Sequence, residues 1–283
     1  MMGIQEGEDE AEDEEEDIDI DIDINPLTML LPDVQQQQQQ VVVEEVEDDI
    51  KLPALDHQQL LQHHYLHSLH STVAIRQLRS QGLSFQLWPA ATTLFTLLDR
   101  HRSHSLTSPL TPTLSSLPAR PRILELGSGT GLVGISAAAT LGAYVTLTDL
   151  PHVLPNLQFN ADANSQVLAE HGGSVHVAAL GWGELDHMEA IGRDYDLILG
   201  SDVVYHDHLY DPLLETLRFF SVGGEKSVVF LMAHLRRWKK ESAFFKRAKK
   251  VFDVEVIHAD GPSDGLRVGV VVYRFAAKPS IRI

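Results

Sequence analysis

The residues best suited to chemistry in this sequence lie in one stretch. Glu125-Leu126-Gly127-Ser128-Gly129-Thr130-Gly131 follows an apolar run and precedes a helical one. Glycines so spaced let the backbone approach a ligand, and in an open α/β sheet such a turn sits where ligands bind, outside the carboxyl ends of the strands. Asp149 ends the next strand-like run, about 20 residues on, where an acid can hold ribose hydroxyls. Read from Gly129, the letters Gly129-Thr130-Gly131-Leu132-Val133-Gly134 also satisfy the dinucleotide fingerprint. The loop by itself therefore leaves nucleotide hydride chemistry and methyl transfer both open.

Charge tips that balance. Between Arg122 and Arg193 there is no Lys or Arg, while Glu125, Asp149 and Asp202 all fall near the carboxyl ends of predicted strands. Such a lining suits a ligand with a positive centre and no phosphate, and S-adenosylmethionine carries both a sulfonium and an ammonium group. A helix amino terminus can bind pyrophosphate without basic side chains, so the charge pattern favours the sulfonium ligand without closing the alternative.

The elements that must position these residues alternate. Strand-like runs cover Arg122–Leu126, Tyr144–Asp149, Val175–Leu180, Asp196–Gly200, Ser227–Met232, Val254–His258 and Arg267–Phe275. Helix-like segments at Leu132–Leu141, Leu154–Ala163, Leu209–Phe220 and Trp238–Val251 separate most of them. This alternation predicts an α/β fold, a doubly wound sheet with helices on both faces. No long helix divides the last two runs, and the turn from Asp260 to Gly265 makes them a hairpin. The expectation is a seven-stranded mixed sheet, six strands parallel and the last antiparallel.

Ahead of the sheet, Thr72 to Leu87 reads as a hairpin turning at Ser80-Gln81-Gly82, and Trp88-Pro89-Ala90-Ala91 opens a helix to about His101. Residues 102–121 are rich in Ser, Thr and Pro without periodicity, which predicts a surface insertion. Residues 57–70 hold His57, His63, His64, His67 and His70 among leucines spaced as on an amphipathic helix, and no acid lies among them to orient a metal ligand. They read as solvated histidines. The basic residues Arg236, Arg237, Lys239, Lys240, Lys246, Arg247, Lys249 and Lys250 share their segment with Trp238, Phe244, Phe245 and Phe252, as a surface helix packed on the sheet would.

The chain has 283 residues and a net charge of −18, from 40 acids and 22 bases. Residues 1–50 hold 19 of those acids and no base, so the remainder, with 21 acids against 22 bases, is near neutral. Residues 1–52, with their Asp-Ile alternation and six glutamines, read as a disordered acidic tail ahead of a domain at 53–283. The sequence contains no cysteine, which excludes disulfides, thiolate zinc sites and a cysteine nucleophile, and fits a reducing compartment. No run approaches the roughly 18 apolar residues of a membrane span, and the acidic start is unlike a leader. Cytosol is the expected location, with the nucleus also open; no membrane partner is expected.

Four motifs in order carry a resemblance: Leu87-Trp88-Pro89-Ala90-Ala91, Glu125 to Gly131, Leu180-Gly181-Trp182-Gly183, and Ser201-Asp202-Val203-Val204-Tyr205. From about residue 72 onward the chain resembles the family-16 protein-lysine methyltransferases, the methyltransferase-like 21 group of the seven-β-strand superfamily. The resemblance implies S-adenosyl-L-methionine as cofactor and methyl transfer to a lysine of a protein, with chaperones and translation factors among the family's substrates. It implies that Trp88 packs on the cofactor, that Glu125, Gly127, Ser128, Gly129 and Gly131 form its cradle, and that Asp149 takes the ribose hydroxyls. Trp182 would lie against adenine, Ser201 would touch the cofactor, and Asp202 and Tyr205 would face the incoming lysine. Gly181 stands where the family usually has an acid, and the 20-residue insertion is unusual for the group. No metal is expected. A base methyltransferase is disfavoured because Val203 and Val204 fill the places of two prolines, and the acidic tail argues against nucleic acid. A methyltransferase acting on a small molecule or nucleic acid, and a non-catalytic binding module, are the alternatives.

Overall fold

The structure is a computed structural model that describes residues 61–222, 228–262 and 269–279; the acidic segment at 1–52 lies outside the described residues. The chain enters through strands β1 (Leu61–Leu66) and β2 (Ser71–Arg76), followed by helices α1 (Pro89–Ser103) and α2 (Thr111–Leu114). Then come β3 (Arg122–Leu126), α3 (Leu132–Leu141), β4 (Tyr144–Asp149), α4 (Leu154–Ala163), α5 (Ser165–Glu170) and β5 (Ser174–Ala179). The remainder is α6 (Leu185–Ile191), β6 (Leu197–Ser201), α7 (Tyr210–Val222), β7 (Val229–His234), α8 (Ser242–Ala248), β8 (Phe252–Ala259) and β9 (Val271–Ala277).

Seven strands form one sheet in the order β5-β4-β3-β6-β7-β9-β8. Strands β3 to β7 pair in parallel, β9 pairs antiparallel to both β7 and β8, and six strands therefore share a direction while β9 opposes them. The order reverses at the β3–β6 pair, because β3 leads outward to β4 and β5 on one side and the chain returns to β6 on the other. A crevice at the carboxyl ends there is where open α/β sheets bind ligands.

Alternation along each strand explains the layers. Ile123, Val145, Leu147, Leu197, Leu199 and Leu231 face one core with α1 and α3, while Leu124, Leu126, Ile198, Phe230 and Met232 face the other with α7 and α8. Helix α3 is apolar nearly all round and almost wholly buried, since the sheet covers one side and α1 packs on the other. Its ends are set by glycine: Gly131 (φ 83°) precedes it and Gly142 (φ 61°) follows, both left-handed, and the N–H of Gly142 closes on the carbonyl of Ala138.

The structure corrects the entry region. Residues 61–66 form a strand where the leucine spacing suggests a helix, and the antiparallel hairpin pairs Leu61–Leu66 with Ser71–Arg76, turning at 67–70 instead of 80–82. The expected turn holds two short 3-10 turns, Arg79–Gln81 and Leu83–Phe85. Tertiary partners account for the choice. The carboxylate of Asp99, on α1, accepts the turn N–H groups of His67 at 3.0 Å and Ser68 at 2.9 Å. Along the free edge of β2, Asn156, Asn160 and Asn164 act as a substitute strand. Asn164 accepts from the N–H of Ala74 and donates to its carbonyl, and Asn160 does the same with Arg76 while also donating to Thr130 in the glycine loop. Asn156 accepts from Nε of Arg76.

The insertion at 102–121 is mostly exposed, and a 3-10 turn at Ser105–Thr107 and α2 anchor it by bringing Leu110 and Leu114 into the core. One further expectation changes. The helix expected over Trp238–Val251 is a 3-10 turn at Lys239–Glu241 and then α8, because Glu241 turns its carboxylate inward; the packing of Phe244 and Phe252 into the core is as expected.

Two tests follow from these burials. Asn160→Leu removes the side-chain partner of the Arg76 N–H and of the Thr130 carbonyl, while the Arg76 carbonyl keeps Asn156, and should lower unfolding free energy by about 1 to 3 kcal/mol in urea titration; a loss below about 0.5 kcal/mol would refute the edge-strand role. Glu125, buried in β3 with its carboxyl accepting the N–H of Gly134 at 3.2 Å, is pushed by burial up to about 8. The unfolded chain then loses this proton near pH 4.5 while the folded chain keeps it to about 8, so this residue lowers stability as pH rises through that window. Glu125→Gln should flatten the fall in stability between pH 5 and 8, and an unchanged slope would show Glu125 to be ionised when folded.

Candidate functional site

The glycine loop sits at the switch point between β3 and β6. Gly127, Gly129 and Gly131 all have left-handed φ, at 59°, 56° and 83°. Side chains there would be strained, and the space is also taken: a Cβ on Gly127 would meet Trp182 at 3.1 Å and Val203 at 3.2 Å, and one on Gly129 would meet the carbonyl of Ser84 at 3.1 Å. The loop therefore presents bare backbone between an indole on one side and the Leu83–Phe85 turn on the other. Ser128 fixes it to β4, its N–H donating to the carbonyl of Thr148 and its hydroxyl accepting from the N–H of Thr148.

Asp149 closes the loop from the end of β4. One carboxylate oxygen accepts the N–H of Gly129 at 2.8 Å and the other accepts the N–H of Leu150 at 2.8 Å. Burial raises its pKa above the usual carboxylate range, and those two N–H groups offset part of the rise. Each oxygen keeps a lone pair for a further donor. Glu125 lies beneath the loop, bonded to the helix that follows it.

Trp182 and Tyr205 meet edge to face, with ring centroids 6.4 Å apart. Burial raises the pKa of the Tyr205 hydroxyl, and the carboxylate of Asp149 adds to the effect, so it remains protonated at neutral pH. Gly181, where an acid is usual in the resemblance, has its side-chain space filled by Glu184, whose Cγ would lie 2.8 Å from a Cβ at that position. Ser201 ends β6 beside Ala233 and is half-buried.

Asp202 follows directly, with a positive φ of 53° that is uncommon for a residue other than glycine. Its side chain is only 5% exposed and is already engaged. Oδ2 accepts from Arg237 at 2.9 Å, and Oδ1 accepts from the N–H of Leu235 at 2.9 Å and from Arg237 at 3.3 Å. Burial pushes its pKa up, but the His234 imidazole and the Arg237 guanidinium outweigh that and hold it at about 2. Trp88 opens α1 nearby: its indole N–H donates to the carbonyl of Leu83, and the Arg237 guanidinium lies 5.1 Å from its ring centroid.

Motif reading missed Arg237, His234 and Glu241 at this place. Arg237 counted there as one of eight surface cations, yet its side chain is 7% exposed. The signal was faint, since 35 residues separate it from Asp202. Ser84, whose carbonyl presses on Gly129, carried no signal at all. Among the described residues no cluster of His, Asp and Glu could hold a metal, and no helix is long and apolar enough to cross a membrane.

Comparison with known proteins identifies a family. The lysine methyltransferase family profile matches residues 68–251. EEF1A lysine methyltransferase 3 of Xenopus tropicalis is 40% identical over 125 residues, covering 44% of this chain and 52% of that protein. Protein N-lysine methyltransferase METTL21A of Danio rerio is 39% identical over 144 residues, covering 50% of this chain and 62% of that one. METTL21A of Xenopus tropicalis is 32% identical over 183 residues, or 65% and 75% of the two chains. The chain thus spans about half to three quarters of the length of these relatives. With the glycine loop, the aromatic pair and the acids of β4 and β6 on a seven-stranded sheet whose β9 is reversed, and a profile that covers most of the sheet, the chain belongs to the lysine methyltransferase family.

Proposed function

We propose that this protein transfers methyl groups from S-adenosylmethionine to a lysine side chain of a protein. The observation that carries the reading is the bare glycine loop, with three left-handed glycines, bounded by Asp149 and Trp182 at the switch point of the sheet. These residues fit the cofactor: Gly127, Ser128, Gly129 and Gly131 offer backbone to its amino-acid end, Asp149 suits ribose hydroxyls, Trp182 suits adenine, and Ser201 and Trp88 border the remaining side. Arg237, the guanidinium that lies over Trp88, is committed to Asp202, which speaks for a sulfonium ligand over a pyrophosphate. Bound there, the cofactor supplies a methyl group on a positively charged sulfur, which passes to nitrogen as the S–C bond breaks and the N–C bond forms.

The protein must present a neutral amine. A free lysine has a pKa near 10.4, so neutrality at pH 7 costs about 3.4 units, or roughly 4.6 kcal/mol. A desolvated entrance lowers that cost. Asp202, held at about 2, is too weak a base to remove the proton, and Tyr205 is itself protonated, so water receives it. Their role is orientation: the Tyr205 hydroxyl and the outer edge of the Asp202 carboxylate aim the nitrogen lone pair. Positioning accounts for most of the acceleration on this reading.

The acceptor is a protein, and a translation elongation factor is the class to try first, because EEF1A appears in the names of relatives from frog and mouse. The test is incubation with labelled S-adenosylmethionine and elongation factor 1A, alongside whole-cell lysate. Mass spectrometry should place the label on a lysine side chain; label only on nucleic acid or small molecules would contradict the proposal. Tyr205→Phe should lower kcat by about 10- to 100-fold with cofactor affinity unchanged, whereas Trp182→Ala should weaken S-adenosylhomocysteine binding by at least about tenfold. Equal loss of cofactor affinity in both variants would remove Tyr205 from the acceptor side.

A further inference from the structure

Around Asp202 the structure gathers three charged side chains from one stretch, residues 234–241. His234, at the end of β7, is fully buried between two carboxylates, with Nε2 3.0 Å from Glu241 and Nδ1 3.4 Å from Asp202. The second distance allows charge attraction but falls outside hydrogen-bond geometry. Burial pulls the imidazole pKa down, and the two carboxylates more than reverse this and raise it. Glu241, in the 3-10 turn before α8, also accepts the backbone N–H of Arg237 at 3.1 Å. Arg237, in the loop after β7, grips Asp202 with both terminal nitrogens, donates to the carbonyl of Leu235 and lies over Trp88. With the imidazole charged, two carboxylates face one imidazolium and one guanidinium, and the formal charges cancel.

This balance matters at a site where a nucleophile must be neutral. An unpaired carboxylate at the mouth would favour the ammonium form of an arriving lysine and raise its pKa, against the needs of the reaction. We propose that Arg237 is a positioning residue for the methyl acceptor: by cancelling the charge of Asp202 it lets that carboxylate orient the amine without favouring a cation there. The proposal rests on the methyltransferase reading above and adds to it a residue outside all four motifs.

The test needs no acceptor protein. Sinefungin is an analogue of S-adenosylhomocysteine that carries an amine where the methyl group would be, so its affinity relative to S-adenosylhomocysteine reports how well the site tolerates a cation at the transfer point. Both are titrated calorimetrically at pH 7 into the full chain. Arg237→Met leaves the cluster with one excess negative charge and should shift the affinity ratio toward sinefungin by about tenfold. Asp202→Asn leaves one excess positive charge and should shift it by a similar factor the other way. The double variant should return to within about threefold of the wild type, and Arg237→Lys should keep the wild-type ratio. A purely structural role would weaken both ligands together and leave the ratio still. An unmoved ratio in Arg237→Met or in Asp202→Asn overturns the proposal. If Arg237→Met does not fold, the near-isosteric Asp202→Asn decides alone. Failure of the wild type to bind either compound would instead overturn the methyltransferase reading, and the proposal with it.

Discussion

Burying a carboxylate in a protein is costly unless something answers its charge, and three carboxylates are buried where the strands of this sheet deliver the chain to the site. Each is answered differently. Glu125, beneath the loop, gives up ionisation and keeps its proton to about pH 8. Asp149 takes two backbone N–H groups, one of them from the loop itself, and remains an acceptor facing the ligand side. Asp202 is met by a guanidinium and stays ionised down to about pH 2. The local order of the site follows from these solutions. The loop is drawn down by Asp149, and the segment after β7 is pinned by Asp202 and Glu241.

The ion pair between Asp202 and Arg237 is better understood as geometry than as stabilisation. A buried pair recovers little more than its desolvation cost, and apolar replacements often serve as well for stability alone. What this pair does fix is the left-handed turn at Asp202 and the approach of the β7 loop to Trp88, bringing together the start of α1, the end of β6 and the segment before α8. The bidentate fork of arginine suits that task in a way a lysine's single ammonium does not.

Much of this was legible in the sequence. Strands β3, β4 and β6 are runs largely buried on both faces, and such runs keep their identity whatever surrounds them. The glycine loop was legible because its backbone conformation admits little else. The hairpin was not. Two leucines in the six residues Leu61 to Leu66 are too few to fix a period, and the deciding partners, Asp99 and the asparagines at 156, 160 and 164, lie about 30 to 90 residues away. The same separation hid Arg237, which one-dimensional reading counts with the solvated cations beside it. Six glutamines and the acidic block at the start fall outside the described residues.

The most direct measurement is calorimetric titration of the purified protein with S-adenosylhomocysteine and, separately, with NAD, since the same glycines satisfy both fingerprints. Micromolar binding of S-adenosylhomocysteine with no heat from NAD is the result expected of a cradle bounded by Asp149 and Trp182, with the guanidinium over Trp88 already bound to Asp202. Binding of NAD without S-adenosylhomocysteine would contradict it at the root, for the loop would then be holding a pyrophosphate.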